Sequence, residues 1–200
     1  PSRVHAIMLP SRHTSDDSLN DAAACAKALG IRYDKISIEP GVAGLTWGLK
    51  DLFAGTKPDT TEENIQSRVR GTLLMAVSNK FGAMVVTTGN KSEMSVGYAT
   101  LYGDMNGGFN PIKDLYKMEV YRLSMWRNAH KPEGALGAKG VVIPERILTK
   151  APTAELRANQ TDQDSLPPYD ELDDILRCLV EQEMPIGDVV ARGHTAETVK

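Results

Sequence analysis

Residues 84–117 read MVVTTGNKSEMSVGYATLYGDMNGGFNPIKDLYK and carry the most informative pattern in the chain. The apolar, β-branched run Met84–Thr88 predicts a short buried strand, which Gly89 and Asn90 end. A short helix and a glycine-rich loop at 106–108 are expected to follow. Open parallel α/β sheets bind ligands in the loops that leave the carboxyl ends of their strands. We therefore predict an α/β fold with a parallel sheet, and a ligand site directly after this strand.

Four polar residues lie close together after the predicted strand, namely Thr88, Asn90, Lys91 and Glu93. A hydroxyl, an amide, a cation and a carboxylate together suit ATP, its phosphates and its Mg2+. A second interpretation is purely structural, because threonine and asparagine are ordinary turn and N-cap residues and a glutamate complements the helix dipole. The spacing alone leaves both interpretations open.

The composition is that of an ordinary globular protein and narrows the possible functions. Of 200 residues, 41% are hydrophobic and 24% are charged, which suffices for one domain with a substantial core. A net charge of −3 without a Lys/Arg cluster predicts no nucleic-acid partner, and no apolar run is long enough for a membrane span. Cys25 and Cys178 lack a partner motif, so we expect reduced, buried thiols in a cytoplasmic protein.

Residues 3–39 predict a β-α-β unit. Arg3–Leu9 is a strand candidate, and a capping sequence at Thr14–Asp17 begins a helix that Gly30 ends. Ile31–Ile38 supplies the second strand. This unit agrees with the parallel sheet predicted from the central block.

Further helices are predicted after this unit. The glycine-containing segment 41–58 is expected to form a short helix over the core or against a partner. Thr60 and Glu63 have the spacing of a capping box that begins a long helix. Helical patterns also occur at Asp114–Arg127 and Tyr169–Leu179.

The polar segment Asn159–Tyr169 is expected to be a loop, which could order over a substrate. Asp162 and Asp164 alternate within it and could bind Mg2+, but a solvated turn is the stronger expectation. The four histidines show no paired metal spacing, so no zinc site is predicted.

The block TTGNKSEMSVGYATLYGDMNGGFNPIKDLYK, at Thr87–Lys117, resembles the synthetase domain of NAD synthetase. A second similar block, TKAPTAEL, lies at Thr149–Leu156, and the resemblance extends from Met8 to about Leu176. It implies a Rossmann-like parallel sheet with flanking helices, of the adenine nucleotide α-hydrolase type. It also implies the ATP-dependent amidation of deamido-NAD (nicotinic acid adenine dinucleotide) to NAD+ through an acyl-adenylate, with release of pyrophosphate and AMP.

The resemblance implies roles for individual residues. Those that would bind ATP are Arg12, Thr88, Lys117 and Thr153. Those that would bind deamido-NAD are Asn64, Arg68, Glu93, Tyr98, Ala99, Thr100 and Leu101. Glu93 would also hold Mg2+, while Asp104 and Lys117 would be catalytic, Asp104 by orienting the substrate or the incoming ammonia. From the residues alone, a solvated surface position is an equally good interpretation of Arg12, Asn64 and Arg68.

Two features of the resembled family fall outside this sequence. One is the Ser-Gly-Gly-x-Asp-Ser loop, whose backbone amides hold phosphates and which would precede Pro1. We therefore expect 1–200 to be a partial synthetase domain, without its first strand and this loop and truncated at its C-terminal end, that binds ATP weakly and turns over little. The other is a nitrilase-like glutaminase domain, which would supply ammonia from glutamine. The central block is closer to the glutamine-dependent enzymes than to those that use free ammonia.

The same resemblance implies an oligomeric assembly, and two alternative functions stay open. The segment ENIQSRVRG, at Glu63–Gly71, would border both the dinucleotide and a dimer contact, which implies a homodimer or a larger homo-oligomer. One alternative is another ATP pyrophosphatase of the same fold, such as GMP synthetase. The other is a non-catalytic nucleotide-binding and dimerisation module. A tRNA-thiolating enzyme is disfavoured because the sequence has neither a cysteine pair nor a basic patch.

Overall fold

The computed structural model describes residues 1–200. Its regular structure consists of two strands, β1 (His5–Met8) and β2 (Arg32–Lys35), and nine α-helices. The helices are α1 (Asp16–Leu29), α2 (Glu39–Leu49), α3 (Thr60–Phe81), α4 (Lys91–Ser95), α5 (Lys117–Ala129), α6 (Glu145–Thr149), α7 (Tyr169–Leu176), α8 (Ile186–Ala191) and α9 (Ala196–Val199). A 3₁₀ turn at Asp162–Asp164 precedes α7, and a π-helical turn at Arg177–Glu181 extends it. None of these helices combines the length and the hydropathy that a bilayer crossing requires.

The β-α-β unit has the predicted form. Ser15 caps α1 by accepting a hydrogen bond from the Ser18 N–H. Gly30 ends α1 at φ +66°, a left-handed conformation that is readily accessible to glycine. The chain then returns as β2, which pairs in parallel with β1. The predicted α/β fold with a parallel sheet is therefore confirmed.

The predicted buried strand at Met84–Thr88 is wrong in its extent and burial. This segment forms a single parallel bridge between Val86 and Phe109, and Val86 is 51% exposed. Its ladder bonds go to the glycine-rich loop, for example from the Thr87 N–H to the Phe109 carbonyl at 2.9 Å. A strand is buried when other strands pair with its edges and helices cover its faces. The sheet of this chain contains only β1 and β2, so the segment remains an isolated bridge.

The long helix α3 is capped one residue earlier than predicted. Asp59, not Thr60, is the N-cap, and its carboxylate accepts the Thr61 N–H at 2.7 Å. Glu62, not Glu63, completes the capping box by accepting the Asp59 N–H at 2.8 Å. A charged acceptor makes a stronger hydrogen bond than a hydroxyl does, which explains why the carboxylate takes this position.

A small apolar core joins α3 to the sheet. Val69 in α3 packs with Leu9, which follows β1, and with Ile38, which follows β2. All three side chains are buried. This contact places α3 beside the carboxyl ends of both strands, the edge at which open parallel α/β sheets bind ligands.

A second core holds α5 against α7, formed by the buried side chains Tyr116, Tyr169, Leu172 and Leu176. The Ser92 hydroxyl in α4 donates to the Asp173 carboxylate and accepts the Lys117 N–H at 2.8 Å. Burial raises the pKa of Asp173, although bonds from Ser92 and from the Met118 N–H oppose this effect. These bonds make α5 begin at Lys117 rather than at the predicted Asp114, and they fix its first residue beside α4.

Arg146 in α6 ties this helix to α1 through a bidentate pair with Asp21. The Nε–Oδ2 distance is 2.8 Å and the Nη2–Oδ1 distance is 2.9 Å. The hydrogen bonds from Arg146 hold the pKa of Asp21 below its ordinary value. A carboxyl with a lowered pKa stabilises the fold above its unfolded pKa of about 4, and this contribution is lost as the pH falls through the lowered pKa.

Replacing Arg146 by glutamine should therefore lower the Tm of the full-length protein by about 2–4 °C at pH 7. The difference from wild type should shrink progressively as the pH falls below about 4, because Asp21 takes up its proton in both proteins. Thermal unfolding followed by circular dichroism measures both quantities. Arg122→Gln is the control, because Arg122 makes only an exposed contact of 3.6 Å with Glu119. A loss of Tm in acid as large as the loss at pH 7 would contradict this role of the Arg146–Asp21 pair.

Candidate active site

A cleft of about 1050 Å³ opens beside the carboxyl ends of the strands. Its volume is at the upper end of the range typical of small-molecule sites. Its walls come from α1, α3, the turns that precede and follow α4, the start of α5, and the segment 147–162. Among the predicted site residues, those that line it are Asn64, Thr88, Glu93, Tyr98, Ala99, Thr100, Asp104, Lys117 and Thr153. The structure thus brings together residues that are far apart in the sequence.

Three predicted site residues lie outside the cleft lining. The Arg12 guanidinium is exposed and pairs with Glu39, with Nη2 at 2.7 Å from Oε2. Arg68 donates from Nε to the Leu101 carbonyl at 3.2 Å on the outer side of α3, and the Leu101 side chain is 62% exposed. The structure therefore separates these three residues from the ones gathered in the cleft.

The ion pair between Lys117 and Glu93 lies in the cleft wall. Lys117 Nζ is 2.8 Å from Glu93 Oε1, and the two side chains are only 18% and 20% exposed. Lys117 Nζ also lies 4.9 Å from the ring centroid of Tyr169. Glu93 follows the N-cap Asn90, whose side chain accepts the Glu93 N–H at 3.0 Å. The start of α4 and the start of α5 thus present a carboxylate and an ammonium at one point of the cleft.

Lys91, the other lysine of the central block, does not line the cleft. Its Nζ pairs with Glu181 at 2.8 Å and lies 4.9 Å from the ring centroid of Tyr116. These contacts resemble those of Lys117, but they lie on the side of α4 that faces the π-helical turn. Of these two lysines, Lys117 therefore lines the cleft, and Lys91, which spacing placed beside a nucleotide, does not.

Asp104 is held in the turn that follows α4, within the central block. Its Oδ1 accepts the Ser67 hydroxyl at 2.9 Å and the Thr100 N–H at 2.8 Å. Its backbone N–H donates to Ser67 Oγ at 3.0 Å. The other oxygen, Oδ2, makes no hydrogen bond within the chain, so it can receive a donor from a ligand. The hydroxyl of Thr100 in turn donates to Asn64 Oδ1 at 2.8 Å.

Arg70 is a cleft residue that the sequence reasoning missed. Its Nε donates to the Leu9 carbonyl at 2.9 Å, and its terminal nitrogens make no hydrogen bond within the chain. Burial lowers the pKa of this guanidinium, although carboxylates nearby oppose the effect. Helical spacing could have found it, because residues three apart share a face and Asn64, Ser67 and Arg70 all line the cleft. Arg68 falls outside that polar stripe.

The segment after α6 contributes a polar cluster that was also missed. Glu155 Oε1 accepts hydrogen bonds from Ser15 at 2.7 Å, from Ser18 at 2.7 Å and from Lys150 at 3.0 Å. Burial opposes the ionisation of Glu155, but these bonds outweigh it and lower its pKa. Glu155 has φ +51°, a conformation that costs a non-glycine residue about 1–2 kcal/mol. Its N–H donates to Thr153 Oγ1 at 3.1 Å, so the cluster fixes the orientation of a predicted ATP contact.

A Rossmann-like α/β domain with a polar cleft beyond the carboxyl ends of its parallel strands belongs to the nucleotide-binding class. The sequence profile of the NAD synthase family matches residues 1–200. The chain therefore belongs to the NAD synthase family.

Individual relatives agree with this assignment. The glutamine-dependent NAD(+) synthetase of Rhodobacter capsulatus is 58% identical over 198 residues, which cover 98% of this chain and 36% of that protein. The chain thus spans little more than a third of the length of this relative. The structure of the glutamine-dependent NAD+ synthetase from Acinetobacter baumannii, in complex with ADP, is 43% identical with a TM-score of 0.69, and the match covers 98% of this chain and 34% of that one.

A shorter protein has a similar fold. NMN synthetase from Francisella tularensis superposes with a TM-score of 0.74 at 26% identity, over 98% of this chain and 76% of that chain. Together with the sheet and helices described above, these matches confirm the predicted Rossmann-like fold with flanking helices.

Proposed function

We propose that the full-length protein catalyses the ATP-dependent amidation of deamido-NAD to NAD+. The observation that carries this proposal is the convergence of Thr88, Glu93, Asp104, Lys117 and Thr153 in one cleft of a chain of the NAD synthase family. Hydroxyls, a cation and carboxylates at one point suit a triphosphate and a second anionic substrate. The similarity to glutamine-dependent synthetases supports glutamine as the nitrogen source, with free ammonia as the alternative.

The reaction would proceed in two steps. The nicotinate carboxylate of deamido-NAD attacks the α-phosphorus of ATP, forming an acyl-adenylate as the bond to pyrophosphate breaks. Ammonia then attacks the acyl carbon, the bond to AMP breaks, and loss of a proton leaves the amide. These steps depend on neutralising and aligning phosphates more than on a protein nucleophile.

The ATP subsite would be formed by Thr88, Lys117 and Thr153. Lys117 would place its ammonium on the phosphates, since a lysine acts there as a compact point charge. The two threonine hydroxyls would donate hydrogen bonds to ATP oxygens. Arg12 would contact the adenine nucleotide only after breaking its ion pair with Glu39.

Glu93 is suited to hold Mg2+ together with the phosphates. The chain contains no group of three His, Cys, Asp or Glu side chains arranged for a metal. Mg2+ is commonly held by one or two carboxylates with substrate phosphates and water, so Glu93 alone is enough for this use. When bound, the metal would neutralise charge on the triphosphate. Lys117 would then exchange its contact with Glu93 for one with a phosphate.

The dinucleotide would occupy the part of the cleft opposite the ATP subsite. Its wall consists of Asn64, Tyr98, Ala99 and Thr100, and Asp104 Oδ2 would orient the nicotinate group or the incoming ammonia. Arg68 and Leu101, which lie outside, would contact the dinucleotide only at the rim of the cleft. We propose that Arg70 joins this subsite as a donor to an anionic group, because its terminal nitrogens are unpaired.

Assembly and location complete the proposal. Side chains on and after α2 are strongly exposed, including Trp47 at 72% and Leu52 at 77%, and they support a homodimer or larger homo-oligomer through this surface. Cys25 and Cys178 are free thiols, which supports a cytoplasmic location. Cys25 is half-buried rather than buried as predicted.

Assays of the full-length protein with deamido-NAD, ATP and Mg2+ test the function. We expect NAD+, AMP and pyrophosphate in equal amounts with glutamine or ammonium, and loss of turnover when EDTA removes Mg2+. Nicotinic acid mononucleotide should be tested as a competing substrate, because of the structural similarity to an NMN synthetase. Absence of NAD+ with either nitrogen donor would contradict the proposal, and retained ATP binding would then favour the nucleotide-binding module.

A further inference from the structure

Asp162 is a buried carboxylate in the wall of the cleft. It is 3% exposed, so the expectation of a solvated turn is wrong for this residue. Its Oδ1 accepts the Tyr98 hydroxyl at 3.1 Å, and its Oδ2 accepts the Tyr169 hydroxyl at 2.8 Å. Its backbone N–H donates to the Pro152 carbonyl at 3.0 Å, directly before Thr153.

Both tyrosine hydroxyls remain donors. Burial and the neighbouring carboxylate of Asp162 raise the pKa of Tyr98, and burial and the bond to Asp162 raise the pKa of Tyr169. A buried carboxylate is costly unless hydrogen bonds satisfy it, and these two donors do so. The three side chains therefore form a closed unit with one geometry.

Each tyrosine leads to a different part of the cleft. Tyr169 is itself buried, but its ring lies 4.9 Å below Lys117 Nζ, which pairs with Glu93 at 2.8 Å. Tyr98 lines the cleft beside Ala99 and Thr100. The Asp162 carboxylate thus holds two rings. One is the Tyr169 ring under the Lys117 ammonium, and the other is the Tyr98 ring in the wall of the predicted dinucleotide subsite.

We propose that Asp162 is a positioning residue that sets both subsites, acting on Lys117 through Tyr169 and on the dinucleotide wall through Tyr98. The inference rests on the proposed function. A cation over an aromatic face is attracted to it, and this attraction depends on where the ring is held. Removing Asp162 takes away the hydrogen bond that fixes the orientation of each ring and therefore weakens both subsites at once.

The test compares KM values for the two substrates in variants of the full-length protein. Asp162→Ala should raise KM for ATP and KM for deamido-NAD at least fivefold each and lower kcat at least tenfold. Tyr169→Phe should raise mainly KM for ATP, and Tyr98→Phe mainly KM for deamido-NAD. Asp162→Asn should fall between wild type and Asp162→Ala, because its amide can accept from one tyrosine and donate to the other. A merely structural role would not divide the two KM values in this way.

Asp170→Asn is the matched control. Asp170 does not line the cleft, is exposed and adjoins Tyr169 in α7. Its replacement therefore removes a nearby charge without changing Asp162, Tyr98 or Tyr169. Its KM values should stay within twofold of wild type. If circular dichroism shows that Asp162→Ala is unfolded, the double variant Tyr98→Phe/Tyr169→Phe removes both hydrogen bonds and keeps both rings. Both KM values within twofold of wild type in the folded Asp162→Ala, or in this double variant, would overturn the proposal.

Calorimetric ATP binding separates this inference from the proposed function. We expect Asp162→Ala to bind ATP at least fivefold more weakly than wild type, and Asp170→Asn to bind it as wild type does. If wild type binds ATP but forms no NAD+, the proposed function fails and the ATP affinities decide the inference. Equal ATP affinities of wild type and Asp162→Ala would overturn it, and so would a wild type that binds no ATP.

Discussion

Replacing Lys117 by alanine should lower kcat/KM for ATP by about 100- to 1,000-fold in the full-length protein, or about 3–4 kcal/mol. Two effects add to one another. The ammonium that would neutralise the phosphates is lost, and Glu93 is left in a largely buried position without its partner at 2.8 Å. Release of pyrophosphate, measured with deamido-NAD and ATP present, should fall to the same extent, because the first step needs this charge.

Lys91→Ala provides a matched control for Lys117→Ala. Lys91 pairs with Glu181 at 2.8 Å and lies over Tyr116 at 4.9 Å, so the substitution removes the same two kinds of contact away from the cleft. We expect it to change Tm as much as Lys117→Ala does and to leave kcat/KM within about threefold of wild type. Equal losses of activity in the two variants would show that Lys117 acts through stability and not through the phosphates.

The sequence predicted best what depends on short stretches of chain. The β-α-β unit follows from capping signals and Gly30, and the helix after Asn90 begins where the sequence predicts, with Glu93 in its first turn. These features involve neighbours in sequence, and residue type and spacing determine most of their geometry. The resemblance then supplied roles for Glu93 and Lys117, which stay predictions.

Residues that depend on distant parts of the chain were less predictable. The resemblance assigned Arg68 and not Arg70 to the dinucleotide, but the face of α3 that meets the cleft is set by packing of Val69 onto Leu9 and Ile38. The sequence pattern predicted a solvated turn at Asp162, because nothing nearby in the sequence indicates that the Tyr98 hydroxyl would reach it. Such contacts arise only when the layers of the fold assemble.

The segment Met84–Thr88 illustrates the same limit in the sheet. Its β-branched, apolar pattern is that of a buried strand, but burial of a strand is a property of its neighbours. With only the Phe109 bridge beside it, the backbone is extended and Val86 remains half exposed. The sequence pattern therefore predicted that this segment is extended, but it did not predict that the segment would be exposed.

Replacing Gly71 by alanine should destabilise the fold by about 2–3 kcal/mol. An added Cβ would lie 2.8 Å from the carbonyl oxygens of both Tyr102 and Gly103. These are backbone atoms, which cannot move aside by changing a rotamer, so the turn would have to shift as a whole. The same turn contains Asp104. Ser67, which lies one helical turn before Gly71 in α3, makes hydrogen bonds with Asp104.

Activity should therefore fall together with stability in Gly71→Ala. A shift of the turn moves Asp104 and Thr100 relative to Lys117, and misplacing such groups by about 1 Å can cost 100-fold in rate. Urea unfolding and NAD+ formation, measured at a temperature where the variant is folded, check the two effects. Gly44→Ala is the control, because a Cβ there meets nothing within 4 Å and a helix gains about 0.5–1 kcal/mol from the exchange. If Gly71→Ala is as stable and as active as wild type, then the close approach of this turn to α3 is not what positions Asp104.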